Sequence, residues 1–254
     1  MPYTCRFCGE KFCAEHRLPE NHDCKGLEEY KKKLNEEGQV FRKEKKAGTN
    51  KKPSKMGFFS YLKGNISLIL LAGIVVTFLV QTVISSFNPT LSAKIFYLGP
   101  DFINRPWAIL TSIFAHNGSF HLMVNSIVLF FFGPELERRI GSKKLLVLFF
   151  LAGALGGLAQ ALILQNFVLG ASAAILGLLG TLTILAPNMR IFLLFLPMRL
   201  WMATLFVVLL NVVSLGRGPE ASLAHLVGLG IGLLYGQMYK GETKETPQSR
   251  FLRR

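Results

Sequence analysis

Residues 170–186 read GASAAILGLLGTLTILA, and residues 221–239 read ASLAHLVGLGIGLLYGQMY. Both segments are apolar enough to predict membrane-spanning helices, and each carries one reactive side chain near its start, Ser172 or His225. Hydrocarbon penalises ionisable groups, by about 2.5–3.5 kcal/mol for a charge on the insertion scale, so a histidine placed there indicates a functional site. Its expected partner is Ser172, because a serine hydroxyl becomes an effective nucleophile only beside a base.

The composition is that of a membrane protein with a polar N-terminal extension. Of the 254 residues, 50% are hydrophobic and only 17% are charged, whereas roughly 25% are charged in an average soluble domain. Residues 1–64 are polar and strongly basic, while residues 65–240 hold only short charged clusters. The net charge of +14 lies mainly beside the predicted spans. This position favours membrane lipid as the partner of the basic segments, and no nucleic acid is expected.

Hydropathy predicts an all-α, polytopic membrane protein with six spans. A span needs about 20 apolar residues, and fewer where its neighbours shield it. The six segments are Ile66–Phe87, Phe120–Phe132, Leu145–Leu164, Ala171–Ala186, Trp201–Leu215 and Ala221–Tyr239. The second, fourth and fifth are short, so we expect them to be tilted or surrounded by the others. Lysine and arginine crowd the N-terminal segment, the 134–144 connection and the C-terminal tail, which predicts a cell-membrane protein with both termini in the cytosol.

This topology places four polar side chains at a similar depth. The second, fourth and sixth spans then run in the same direction, and near their starts lie His121 and Asn125, Ser172, and His225. His121 and Asn125 are four residues apart and share one helix face. Both side chains can donate hydrogen bonds, and donors aimed at a developing oxyanion supply about 3–4 kcal/mol of transition-state stabilisation. We therefore expect an oxyanion site formed by His121, Asn125 and the backbone N–H of Ser172.

Small residues predict close contact between the fourth and sixth spans. Gly228 and Gly232 follow His225 at a spacing that lets two helices approach closely, and Gly177 and Gly180 can supply the facing surface. A serine and a histidine on these two spans need such an approach in order to meet.

Structural roles for the same residues are the alternative. Ser172 could bond a backbone carbonyl one turn back, His225 could bond a carbonyl, and His121 with Asn125 could form a polar clamp between helices. His116 lies before the second span and is expected to be a structural loop residue. No aspartate or glutamate lies deep in any predicted span. The catalytic group is therefore expected to be the pair of Ser172 and His225 without a third member.

The membrane region resembles a rhomboid intramembrane serine protease of the six-span kind. The matching motifs are His121-Leu-Met-Val-Asn125, Gly133-Pro-Glu-Leu-Glu137 running to Gly141, Gly170-Ala-Ser172, and Ala224-His225-Leu-Val-Gly228 with Gly232. They cover about residues 95–240 in the family's order. The resemblance implies a six-helix bundle, a catalytic Ser172–His225 dyad, an oxyanion site from His121 and Asn125, and cleavage of transmembrane segments of membrane protein substrates.

The chain departs from the family pattern at three positions. Ala173 follows the serine where the family often has glycine, and Leu176 stands where an aromatic often packs on the catalytic imidazole. Ala108 follows Trp107 where the first loop commonly has arginine.

The main rival function is a non-catalytic, rhomboid-like protein that binds membrane clients. A transporter is a further rival, but the absence of intramembrane carboxylates argues against an ion-coupled one.

All four cysteines of the chain lie within 20 residues and predict a zinc site. The spacing is C-x2-C-x4-C-x2-H-x5-H-x-C, formed by Cys5, Cys8, Cys13, His16, His22 and Cys24. Cytosolic disulfides are disfavoured, and thiolates with imidazoles suit tetrahedral zinc. The pattern resembles the C-terminal part of an AN1-type zinc finger. By that resemblance Cys5, Cys8, His22 and Cys24 form one complete site, whereas the set Cys5, Cys8, Cys13 and His16 also has acceptable spacing.

The sequence thus predicts four regions. These are an AN1-like zinc finger at 1–25, a basic linker at 26–64, a six-span domain at 65–240 and a basic cytosolic tail at 241–254. A finger of this size cannot bury enough apolar surface to fold alone. Zinc is therefore expected to play a structural role there. A cytosolic protein is the expected partner of the finger.

Overall fold

The computed structural model describes residues 3–12, 16, 18, 21–33, 65–193, 196–215 and 221–241. These residues fall into two units, Met1–Met56 and Gly57–Arg254. In the first unit, strands β1 (Tyr3–Thr4) and β2 (Lys11–Phe12) pair antiparallel, and residues 25–33 are helical.

The second unit is built from helices. The described residues form α1 (Ile66–Phe87), α2 (Pro89–Phe96), α3 (Ala108–Phe114), α4 (Ser119–Ile140), α5 (Ser142–Ile163), α6 (Ser172–Leu185), α7 (Leu200–Ser214) and α8 (Ser222–Tyr239). An antiparallel hairpin of β3 (Arg190–Leu193) and β4 (Leu196–Arg199) connects α6 to α7. The predicted helical architecture is confirmed, and each predicted span overlaps one helix. The second span is not short as expected, because α4 continues eight residues beyond the predicted end at Phe132.

The helices differ in how well they suit a membrane crossing. Among the described helices, α1, α4 and α5 are long and apolar enough to cross a membrane, whereas α6 and α7 are apolar but shorter. Helix α6 is shielded as expected, because ten of its 14 residues are buried. Helix α7 is not, since only Leu200, Ala203 and Thr204 are buried along its 15 residues. Shielding therefore explains the short length of α6 but not that of α7.

Glycines bring α6 and α8 into backbone contact. A Cβ atom added at Gly228 would lie 2.2 Å from the Ala173 carbonyl oxygen, and one added at Gly232 would lie 1.9 Å from that of Gly177. Both distances are far below van der Waals contact, so these two positions accept no larger residue. The predicted close approach of the two helices is confirmed.

Hydrogen bonds between helices supplement this packing. The Thr181 hydroxyl of α6 donates to the Gly232 carbonyl of α8 over 2.8 Å. The Glu137 carboxylate of α4 accepts from the backbone N–H groups of Ile66 and Ser67, at 2.7 and 3.0 Å, and from two serine hydroxyls. Glu137 thereby satisfies donors that the first turn of α1 leaves without partners inside the helix.

The connection between α1 and α4 contains more structure than its sequence indicates. It forms α2, a 3₁₀ turn at Phe102–Asn104 and α3. The Arg105 guanidinium pairs with Asp101 and donates to backbone carbonyls at the end of α2, including Lys94 at 3.0 Å. This arginine also holds the pKa of Asp101 below its ordinary value, mainly through hydrogen bonding. The connection is thus a folded, cross-braced segment.

Candidate functional site

Ser172 and His225 meet directly. The Ser172 Oγ atom lies 2.6 Å from His225 Nε2. Ser172 is the first residue of α6, and His225 lies in the first turn of α8. The close approach of these helices therefore places the two side chains within hydrogen-bond distance, as a nucleophile and its base require.

The loop before Ser172 is held from two sides. Leu98 and Val168 exchange two backbone hydrogen bonds of 3.0 and 2.8 Å, and the Gly170 N–H donates to the Ser112 carbonyl over 2.8 Å. Gly170 has φ +127°, where a side chain is strained, and an added Cβ would lie 2.7 Å from the His121 ring. Glycine is therefore needed for the histidine to approach the serine loop.

A third side chain contacts the imidazole of His225. The Nδ1 atom of His225 lies 2.8 Å from Asn211 Oδ1 of α7, and Asn211 Nδ2 donates to the Val207 carbonyl over 2.9 Å. The expectation of a pair without a third member is corrected, because an amide, and not a carboxylate, contacts the imidazole. A single asparagine within an apolar helix offered no periodic or charge signal, so sequence reasoning missed this contact.

His121 also faces the serine loop. Its Nδ1 atom accepts from the Asn117 N–H over 3.4 Å, so the proton of the neutral ring lies on Nε2. That Nε2 atom is 3.0 Å from the position of a Cβ added at Gly170, on the side of Ser172. His116 is 1% exposed and packs its ring edge-on against His121 at 5.0 Å between centroids. His116 thus supports the ring of His121 from behind.

Asn125 lies one turn further along α4 and is buried. Its Nδ2 group has no hydrogen-bond partner among the residues that the structure describes. An unpaired buried donor is costly and uncommon in native proteins, and it is often explained by a functional role. The structure records no direct contact between Asn125 and either Ser172 or His225.

Ser172, His225 and His121 line one cleft of about 570 Å³, whereas Asn125 is not among its lining residues. Its walls include Tyr97, Asn117, His121, Asn166, Ser172 and His225, together with apolar residues of the 166–169 loop and Ala221. Because Ser172 begins α6, its backbone N–H has no acceptor within that helix. The cleft therefore combines a hydroxyl, an imidazole and hydrogen-bond donors, a set suited to acyl transfer.

The first unit brings four predicted zinc ligands together. The ligand atoms of Cys5, Cys8, His22 and Cys24 lie within 4.8 Å of one another. Cys5 Sγ is 3.8 Å from Cys24 Sγ, and Cys8 Sγ is 3.7 Å from His22 Nε2. Ligands on a tetrahedral zinc ion would be about 3.8 Å apart for two sulfurs and about 3.6 Å for sulfur and nitrogen. The cluster therefore fits zinc.

The surroundings of the cluster suit metal binding as well. His22 Nδ1 lies 3.0 Å from the His16 carbonyl oxygen, so Nδ1 carries the proton and Nε2 keeps its lone pair for a metal. The backbone N–H of Cys8 is the main cause that lowers the pKa of the Cys5 thiol to about 6. Cys13, part of the competing ligand set, lies outside the described residues.

Comparison with known proteins places this architecture. The family model for the rhomboid domain matches residues 104–241. The chain belongs to the rhomboid family. The model for the AN1-like zinc finger matches residues 1–29, so this rhomboid carries an N-terminal zinc finger, as its cysteine spacing predicted.

Named relatives cover parts of this rhomboid. The chain is 30% identical to Rhomboid protein 1, mitochondrial, of Saccharomyces cerevisiae over 62% of this chain and 49% of the relative. It is 28% identical to Rhomboid protease GlpG of Haemophilus influenzae over 68% of this chain and 90% of that protein. It is 38% identical to Inactive RHOMBOID-like protein 8 of Arabidopsis thaliana over 34% of this chain and 25% of that protein.

The first curated relatives are longer than the region they share with this chain, which spans between a quarter and about half of their length. Family membership makes this chain a membrane protein with a rhomboid domain. The relatives include proteins named as proteases and one named as inactive. The activity of this rhomboid must therefore be argued from its own side chains.

Proposed function

We propose that this rhomboid is an intramembrane serine endopeptidase that cleaves transmembrane segments of membrane protein substrates. The main support for this proposal is the 2.6 Å contact between Ser172 Oγ and His225 Nε2 in a cleft of a membrane-embedded helical bundle. A structural role for the pair would not need a further hydrogen-bond donor in the same cleft, and His121 supplies one. The buried amide of Asn125, which has no partner among the described residues, supports the catalytic interpretation separately.

The reaction follows from these positions. As Ser172 Oγ attacks the scissile carbonyl carbon, its proton passes to His225 Nε2, and the carbonyl oxygen becomes an oxyanion. His225 then returns the proton to the leaving amine, which departs and leaves an acyl ester on Ser172. Water then loses a proton to His225 Nε2 while attacking that ester. His225 passes this proton to Ser172 Oγ as the ester bond breaks, which releases the acid product and regenerates the free serine.

We assign oxyanion stabilisation to three donors. These are the Ser172 backbone N–H, His121 Nε2–H and Asn125 Nδ2. Removing one such donor in a serine protease typically costs about 2.7–4 kcal/mol of transition-state stabilisation. The Nδ2 group of Asn125 is buried and has no acceptor among the described residues, so its amide is available to the oxyanion.

The membrane arrangement is part of the proposal. All six helices α1 and α4–α8 would cross the bilayer in the cell membrane, with both termini in the cytosol. The site lies at the N-terminal ends of α4, α6 and α8, which puts it near the outer face in that orientation. The proposed regions remain a zinc finger at 1–25, a linker at 26–64, a protease domain at 65–240 and a tail at 241–254.

The zinc finger has a separate proposed role. Cys5, Cys8, His22 and Cys24 would bind one structural zinc ion, supported by their tetrahedral spacing. The folded finger would then contact a cytosolic protein. No step of peptide hydrolysis needs this metal.

The test is cleavage of a model single-span substrate by the purified full chain in liposomes. Ser172→Ala and His225→Ala should each lower cleavage by more than about a thousandfold, since they remove nucleophile and base. Ser86→Ala, an exposed serine of α1, is the matched control and should cleave normally. Persistent cleavage by Ser172→Ala would contradict the proposal.

A non-catalytic client-binding protein is the second candidate. The 38% identity to a relative named as inactive favours it, although that match covers only 88 residues. The same preparation separates the two functions through co-purification of the single-span substrate. Binding without cleavage by the wild type, across several substrates and lipids, would favour the client-binding protein.

A further inference from the structure

We propose that Asn211 is a positioning residue that selects the tautomer and ring orientation of His225, an inference that rests on the proposed protease function. The residue does not face the reacting atoms. It acts through the imidazole, from a helix that carries neither the nucleophile nor the base.

Three linked hydrogen bonds carry this inference. The Val207 carbonyl accepts from Asn211 Nδ2 over 2.9 Å, and Asn211 Oδ1 is 2.8 Å from His225 Nδ1. His225 Nε2 is in turn 2.6 Å from Ser172 Oγ. A carbonyl can only accept, so the first bond orients the amide of Asn211 with its oxygen towards the imidazole.

That orientation determines where the proton of the neutral ring lies. An amide oxygen can only accept, so His225 Nδ1 must donate to it and carries the proton. The Nε2 atom then keeps its lone pair and accepts from the Ser172 hydroxyl. In the opposite tautomer, the Nε2 proton would face the serine and no base would be available.

Asparagine suits this place better than a carboxylate. Helix α7 is apolar and largely exposed along its 15 residues, so it is surrounded by lipid in a membrane. A buried carboxylate there would carry a large desolvation penalty, whereas a neutral amide accepts the Nδ1 proton at lower cost. The Asn211 oxygen also remains an acceptor when the ring becomes an imidazolium during the reaction.

The position of Asn211 on α7 separates this role from simple packing. The buried residues of α7 are Leu200, Ala203 and Thr204, all in its first two turns. There the Thr204 hydroxyl lies 2.6 Å from that of Thr183 on α6. Asn211 lies about two turns further on, beside His225. Thr204→Val therefore removes a polar contact of α7 without touching the imidazole.

The experiment compares Asn211→Leu with the control Thr204→Val in the full chain. The first readout is ¹⁵N NMR of labelled histidines in detergent, with His225→Gln used to assign the resonance. We expect the Nδ1–H tautomer in the wild type and in Thr204→Val, and a shift towards Nε2–H in Asn211→Leu. An unchanged tautomer in Asn211→Leu would overturn the proposal.

The second readout is kinetic. Asn211→Leu should lower kcat by about 10- to 100-fold while KM changes little, because the defect lies in the base and not in substrate binding. Equal losses of kcat in Asn211→Leu and Thr204→Val would overturn the positioning role. Asn211→Ala, which adds no bulk, replaces Asn211→Leu if the latter does not fold.

Failure of the protease proposal gives a different pattern. In that case the wild type neither cleaves the model substrate nor forms a covalent adduct between Ser172 and a small fluorophosphonate. The NMR comparison still decides whether Asn211 sets the tautomer of His225, because it needs no turnover.

Discussion

The zinc finger and the helical bundle bury different kinds of side chain. Among the described residues of the finger, the buried ones are Cys5 and Cys24. In the bundle, α6 alone buries ten residues, most of them leucine, alanine, glycine or threonine. We therefore expect the finger to depend on a metal for its folding free energy, whereas the bundle depends on backbone contact between helices and on hydrogen bonds across them.

Zinc removal should have the largest effect and should be confined to the finger. A chelator strong enough to strip the metal removes a binding free energy of about 10–16 kcal/mol in comparable peptides. We expect the finger to unfold while the bundle keeps its melting temperature, as measured by hydrogen exchange and thermal unfolding of one sample. A bundle destabilised to the same extent would contradict the comparison.

Two substitutions sharpen the prediction of the ligand set. Cys24→Ser should abolish stoichiometric zinc, while Cys13→Ser should retain it, as measured by elemental analysis of the purified chain. The reverse result would favour the set of Cys5, Cys8, Cys13 and His16.

The bundle should be most sensitive where α6 and α8 touch. Gly232→Val would push a side chain into the Gly177 carbonyl, at 1.9 Å for the Cβ atom alone. We expect the free energy of unfolding of the bundle to fall by about 4 kcal/mol or more, with the zinc content unchanged. Gly230→Val is the matched control on the same helix, since nothing lies within 4 Å of its Cβ position. Similar melting temperatures for the two variants would argue against tight contact.

Substitution of Glu137 should cause the next largest loss of stability. Glu137→Ala leaves the first N–H groups of α1 and the Ser142 hydroxyl without their shared acceptor, at a cost of about 3 kcal/mol. Glu135→Ala, which breaks only ion pairs with Arg138 and Arg139, should cost less than about 1 kcal/mol. Thermal unfolding in detergent measures both, and equal losses would count against a special role for Glu137.

Removing a single hydrogen bond between helices should have the smallest effect on the stability of the bundle. Thr181→Val removes the hydroxyl donor to the Gly232 carbonyl and should cost about 1 kcal/mol. Thr82→Val, whose hydroxyl bonds only within α1 and is exposed, should change stability by less than half as much. A loss several times larger for Thr181→Val would mean that this bond also sets the α6–α8 geometry.

Much of the bundle was predictable because hydropathy and small residues act along the chain. The six helices, the close approach at Gly228 and Gly232, and the meeting of Ser172 with His225 all follow from position along a span. The spacing of cysteines and histidines predicted a zinc site, and the resemblance to an AN1-type finger indicated the four residues that form the cluster. These signals are local or periodic, so a single sequence contains them.

The unpredicted features depend on neighbours that are distant in sequence. Asn211 is one polar residue in an apolar helix, and only the packing of α7 against α8 brings it to His225. Arg105 organises the α2–α3 segment through backbone carbonyls, which leave no mark on sequence. Likewise, Glu137 contacts Ile66 across 71 positions of the chain. The charge and periodicity of a segment carry no information about which distant residues it contacts in the fold.

Helices α4, α6 and α8 all begin at the cleft, and this shared polarity gives the site an electric field of its own. Each helix N-terminus acts like about half a positive elementary charge, so three of them attract an anion without any ionised side chain. A lysine or arginine in this place would have to be desolvated within the membrane. Small tetrahedral anions, such as boronates and phosphonates, should therefore bind here more tightly than neutral molecules of the same shape.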